Sequence, residues 1–222
     1  SIKPGEYSLK EAFAVSSNAI FAGLGLRLGR DKLLKIAGDF GFNSKIPFEM
    51  YVKKSQFPGH SLMDSDVQLA EDSIGQGKVL TTPLLMASIA QIIANHGVYH
   101  SPYIIDKVKT PLGQVKVNNL RTVRKTVISP QTADIVRDYM VEVVEKGTGK
   151  AARMKDIKVA GKTGTAENPH GEPHSWFIGF APAQDPAIAI AVIVENGGSG
   201  GKVAAPIARE IIEYYFKIRN RK

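Results

Sequence analysis

Val159-Ala-Gly-Lys-Thr-Gly-Thr-Ala-Glu167 brings a lysine, two hydroxyls and two glycines together in nine residues. Side chains alternate along an extended strand, so Lys162 and Gly164 share one face and Thr163 and Thr165 the other. A glycine inside a strand marks the close approach of a ligand or a second backbone. A chain laid along this stretch meets a positive charge at Lys162, room at Gly164 and hydroxyl donors at Thr163 and Thr165. Together these groups suit an extended substrate that ends in a carboxylate.

Nucleotide sites compete for the same residues and fail on spacing. A phosphate-binding loop needs a glycine where Asp156 stands. In Asn196-Gly-Gly-Ser-Gly-Gly-Lys202, Val203 occupies the position at which a hydroxyl must reach the metal. Gly75-Gln-Gly77 is followed by Leu80 where a dinucleotide fingerprint has its third glycine. His170 and His174 flank Glu172, but Pro169, Gly171 and Pro173 prevent the helix that would aim both rings at one metal. That segment reads as a surface loop, and no metal or cofactor is expected.

The chain has 222 residues, 43% of them hydrophobic, enough for one sizeable core. No run of apolar residues is long enough to cross a bilayer, and the first residues do not read as a signal peptide. With no cysteine, disulfides and thiolate catalysis are excluded. The net charge of +8 raises the question of nucleic acid. However, the basic residues scatter, with modest clusters at Arg121 to Lys125 and Lys217 to Lys222, and no aromatic residues interleave with the first cluster. No nucleic-acid partner is expected.

Outward from the central strand, the pattern predicts an α+β fold. Ser8-Leu-Lys-Glu11 is a capping box, and Val15-Ser-Ser-Asn18 keeps the helix behind it short. Ser17 or Asn18 caps a second helix to about Leu28, closed by Gly29; Asp31 caps a third, Lys32 to Phe40, stopped by Gly41. Asn43 to Gly59 reads as irregular. Ser65-Asp66 starts a short segment leading to Ser73-Ile-Gly-Gln-Gly77. Thr82-Pro83 and Ser129-Pro130 each open a helix with a hydroxyl cap and a proline in the first turn. The first has little charge and should be buried on most sides, while the second presents Ile135, Tyr139, Met140, Val143 and Val144. Two strands are expected at Ile104 to Val108 and Gln114 to Val117. Three more follow, at Lys158 to Ala166, Trp176 to Ala181 and Ala187 to Glu195, the last two joined as a hairpin. A final helix from Ala204 to about Ile218 covers them with Ile207, Ile211, Ile212, Tyr215 and Phe216. No repeat or linker divides the chain.

Three further features bear on function: Ser16-Ser17-Asn18, Lys162-Thr163-Gly164, and their order in the chain. They correspond to the Ser-x-Asn and Lys-Thr-Gly boxes of β-lactamases and penicillin-binding proteins. With Ser73-Ile-Gly-Gln-Gly77, Thr82-Pro-Leu84, Ala94-Asn-His-Gly97 and Trp176-Phe-Ile-Gly-Phe-Ala-Pro182, the sequence resembles the transpeptidase domain of a class B penicillin-binding protein over almost its whole length. The resemblance implies the β-lactamase/transpeptidase fold, an antiparallel sheet packed with helices.

The family's nucleophilic Ser-x-x-Lys box stands upstream of Ser-x-Asn, and no such box precedes Ser16 here, where Ser8 is followed three places on by Glu11. Ser199-Gly-Gly-Lys202 matches literally, but it lies in a glycine loop after the last strand and reads as accidental. Residues 1–222 are therefore expected to be the downstream portion of one transpeptidase domain, inactive alone, with its missing upstream part as a partner. The resemblance assigns proton relay to Ser16, the donor amide to Asn18, electrostatic support of Ser16 to Lys162, and the carboxylate of a D-Ala-D-Ala stem peptide or a β-lactam to Thr163 and Thr165. Gly164 completes the box, and the Thr165 amide is one oxyanion donor. It also places the parent outside the bacterial cytoplasmic membrane, anchored, in peptidoglycan synthesis. A serine β-lactamase and a non-catalytic β-lactam sensor or scaffold are the alternatives. Loss of an upstream segment is expected to expose apolar surface on the helix opened by Thr82.

Overall fold

The computed structural model describes residues 6–60, 65–118 and 124–219. Residues 121–123 of the first basic cluster and 220–222 of the second lie outside them. The chain runs through helices α1 (Leu9–Ala14), α2 (Asn18–Leu28), α3 (Arg30–Asp39), α4 (Asp66–Ser73) and α5 (Pro83–Ala94). Short strands β1 (Val98–His100), β2 (Lys107–Lys109), β3 (Val115–Asn118) and β4 (Arg124–Thr126) precede α6 (Pro130–Glu145). Strands β5 (Ala160–Ala166), β6 (His174–Ala181) and β7 (Ile188–Val194) and helix α7 (Ala204–Arg219) complete it.

The antiparallel sheet has the order β5-β6-β7. In register, Lys162 lies opposite Ile178, Gly164 opposite Trp176, and Phe177 opposite Val192. Because side chains alternate, β6 feeds two cores. Phe177 points into one with Val159, Ile190, Val192, Ala204, Ala208 and Ile212 beneath α7. Phe180 points into the other with Ile93, Met140 and Ala160, beneath α5 and α6. The outcome is helix, sheet and helix layers, and β7 is covered from both sides as its apolar run predicts.

Local signals set most helix starts. Ser8 and Glu11 close the capping box, and Ser65, Thr82 and Ser129 each accept a backbone N–H of the helix they open; such caps contribute about 1 kcal/mol each. The third helix differs from expectation. Gly29, at φ 80°, ends α2 and starts α3, so Asp31 sits in the first turn instead of capping it. Ile104 to Asp106 are not strand, and β2 begins only at Lys107. The short pairing of β1 with β4 is absent from the sequence reading, because three residues carry too little periodicity.

Two apolar stripes are rotated from expectation. In α6, Ile135 is 53% exposed and Ala133 is buried in its place. In α7 the buried face is Ala204, Ala205, Ala208 and Ile212, while Ile207 and Ile211 face outward with Tyr214 and Ile218. α7 thus carries an outward apolar stripe, while in α5, where exposed apolar surface was expected, only Pro83 is exposed.

The lobe of α2, α3 and α4 is held by two close fits. A Cβ at Gly25 would overlap the Ser73 side chain, so this glycine lets α2 lie against α4. Buried Arg30 donates to buried Asp72 at 3.0 Å, and to the Pro58 carbonyl at 3.3 Å. Asp72 also accepts Gln68 Nε2 at 3.1 Å and the Lys78 amide at 3.4 Å. A buried carboxylate is tolerable only with such a full set of donors.

Candidate active site

The outer edge of β5 has no strand neighbour among the described residues, and a cleft of about 860 Å³ opens along it. Every residue singled out from the sequence, Ser16, Asn18, Lys162, Thr163, Gly164 and Thr165, lines this cleft. The two motifs lie 146 positions apart in the chain and meet there.

Lys162 points to the face that carries α1 and α6. Its Nζ donates to Ser16 Oγ at 2.8 Å and to its neighbour's carbonyl, Thr163 O, at 2.8 Å. The Phe13 ring lies 5.8 Å from the ammonium, a distance at which its π face attracts a cation. Burial lowers the Lys162 pKa to about 8, since low-dielectric surroundings disfavour the charged form. A lysine so tuned holds its proton at neutral pH, and its ammonium donates a hydrogen bond to the neighbouring Ser16 hydroxyl.

Ser16 reaches Lys162 because the turn after α1 is unusual. Its backbone is left-handed, φ 57°, a conformation that costs a residue with a Cβ about 1 kcal/mol. The turn is fixed by the Ser16 amide on Phe13 O at 3.2 Å and the Ser17 amide on Ala12 O at 2.9 Å. Ser17 is buried and holds the N-cap position of α2 without a side-chain cap bond. Asn18, the first residue of α2, is exposed in the cleft.

Thr163 and Thr165 point to the α7 face. Thr163 is buried, and its Oγ1 lies 2.6 Å from Thr148 Oγ1. Thr165 Oγ1 accepts the Gly200 amide at 3.2 Å. Residue 200 must be glycine, because a Cβ there would overlap the backbone oxygens of Gly164 and Trp176. Gln76 Nε2 donates to Thr165 O at 3.1 Å, tying the Ser73 to Gly77 turn to the strand edge.

Sequence reasoning missed Thr148, Gln76, Phe13 and the part played by Gly200. The glycines around Thr148 and Ser199 were the available signal, since each marks a backbone approach that a side chain would block. Ser199, Gly201 and Lys202 do reach the cleft; Ser199 O accepts from Ser175 Oγ at 3.1 Å and from the Lys202 amide at 3.1 Å, which makes the loop a wall. His174 has a structural task, with Nδ1 accepting the Asn196 amide at 3.0 Å.

Known proteins resemble this chain in sequence and in shape. The family description "Penicillin binding protein transpeptidase domain" matches residues 1–213. Peptidoglycan D,D-transpeptidase PbpA of Mycolicibacterium smegmatis is 40% identical over 217 residues, covering 92% of this chain but 43% of its own length. A D,D-transpeptidase domain of a peptidoglycan glycosyltransferase from Eggerthella lenta superposes with TM-score 0.90 at 34% identity, over 100% of this chain and 56% of that one. Penicillin-binding protein A of Mycobacterium tuberculosis, as a penicillin G acyl-enzyme complex, superposes with TM-score 0.83 at 39% identity, over 96% and 50%. This chain thus spans about half the length of its relatives. It belongs to the penicillin-binding protein transpeptidase domain family.

Proposed function

We propose that residues 1–222 supply the downstream portion of a D,D-transpeptidase that cross-links peptidoglycan stem peptides and is acylated by β-lactams. The observation carrying this reading is the 2.8 Å contact of Lys162 Nζ with Ser16 Oγ, beside a strand edge lined with hydroxyls. The donor peptide lies along β5. Thr163 and Thr165 donate to its terminal carboxylate, and Lys162 adds positive charge. Asn18 binds the donor amide.

The attacking serine comes from a Ser-x-x-Lys box outside these 222 residues, in the remainder of the domain. Its oxygen bonds to the penultimate D-Ala carbonyl carbon while the peptide C–N bond breaks. The serine proton passes through Ser16 to the departing D-Ala nitrogen, so Ser16 is a general acid/base relay. The Thr165 amide donates to the carbonyl oxygen as negative charge develops there. The acceptor amine of a second stem peptide then displaces the serine and forms the cross-link. A protein with this chemistry would work at the outer face of the cytoplasmic membrane, where its polymer is assembled.

The test is acylation of the full-length protein by fluorescent penicillin, compared with Ser16→Ala and Lys162→Met. Both variants should label at least about 100-fold more slowly, the scale at which a proton relay contributes. Labelling at the wild-type rate in either would remove the assigned roles.

A further inference from the structure

The hydroxyls of Thr163 and Thr165 can serve an anion only if their protons point into the cleft. A threonine hydroxyl has one proton and two acceptor lone pairs. Thr165 Oγ1 already accepts the Gly200 amide, which leaves its own proton free. The corresponding partner of Thr163 Oγ1 is Thr148 Oγ1 at 2.6 Å.

Thr148 sits where three segments of the site meet. Its backbone amide donates to Ala14 O at 3.1 Å, two residues before Ser16. Its side chain reaches Thr163 on β5. Its carbonyl lies under Gly201, where a Cβ would come within 2.5 Å of that oxygen. Gly147 and Gly149 allow this convergence, since Cβ atoms there would press on Ala14 O and on Val143.

We propose that Thr148 is a positioning residue for the carboxylate site: its hydroxyl donates to Thr163 Oγ1 and so turns the Thr163 proton toward the substrate anion. The inference rests on the transpeptidase reading above. An anion in the cleft selects this direction along the hydroxyl pair, because the reverse arrangement aims a lone pair at negative charge. Each bond of such a chain polarises and strengthens the next. Thr148 thus does for Thr163 what the Gly200 amide does for Thr165.

The experiment measures acylation of the full-length protein by benzylpenicillin and by its methyl ester, which lacks the anion. Thr148→Val keeps the backbone contacts and removes only the donor. It should slow acylation by the acid about tenfold, the size of one hydrogen bond to a charged group, and change the ester rate by less than about twofold. Thr148→Ser should restore the acid rate. With Thr163→Val already present, Thr148→Val should add nothing further, since the two hydroxyls act as one unit. An acid rate unchanged by Thr148→Val, or an equal loss on acid and ester, overturns the proposal. A wild-type protein that benzylpenicillin does not acylate overturns the transpeptidase reading and this proposal together; an unimpaired Thr148→Val beside an active wild type overturns this one alone.

Discussion

Lys162 should make stability and substrate affinity respond to pH in opposite directions. Its pKa is lowered from 10.5 to about 8 by burial in the fold. Between those limits the unfolded chain binds more protons than the folded one, so raising the pH through that window stabilises the fold. The shift sets a ceiling of about 3 kcal/mol on the rise, and the part of the side chain still in contact with water lowers the observed value. Affinity for a carboxylate that needs the ammonium falls over the same window, by about tenfold per pH unit once Lys162 has lost its proton. Trp176, the lone tryptophan, lies opposite Gly164 and reports unfolding by fluorescence. Urea denaturation of wild type and Lys162→Met at pH 7 and pH 10.5 isolates the effect, because methionine keeps the volume and removes the charge. Wild type should gain stability relative to the variant as the pH rises. Parallel pH dependence in the two proteins would refute the reasoning.

Three further outcomes follow from the packing. Asp72→Ala removes the carboxylate that faces the buried Arg30 guanidinium in the lobe of α2, α3 and α4 and should cost about 3–5 kcal/mol in denaturant unfolding, the usual penalty for breaking a buried ion pair from one side. Ser16→Gly should be more stable than Ser16→Ala by about 1 kcal/mol, since only glycine relieves the left-handed backbone; equal melting would place the strain elsewhere. The outward stripe of Ile207, Ile211, Tyr214 and Ile218 should make this chain self-associate at high concentration, and Ile211→Lys should shift it toward monomer in sedimentation velocity.

Hydroxyl and proline signals at Ser65, Thr82-Pro83 and Ser129-Pro130 placed their helices in the sequence because capping is a local interaction. The three strands of the sheet were legible from apolar runs bounded by turns. Asp31 misled because a good cap residue competes poorly with a glycine free to take φ 80° two residues earlier. The α7 stripe misled because alanines, small enough for close approach to the sheet, were outweighed by isoleucines that face outward. The facing of Ser16 and Lys162 came from resemblance, since nothing local joins residues 146 positions apart. Thr148 could not be found that way, because its role exists only once α1, β5 and the glycine loop are packed together.

The most direct measurement is the intact mass and peptide map of the full-length protein and of residues 1–222 after exposure to benzylpenicillin. The full-length protein should gain one penicilloyl group on a serine outside these 222 residues, and the shorter chain none. An adduct on Ser16 or Ser199, or an unmodified full-length protein, would contradict the assignment of this chain as the half that binds and relays without providing the nucleophile.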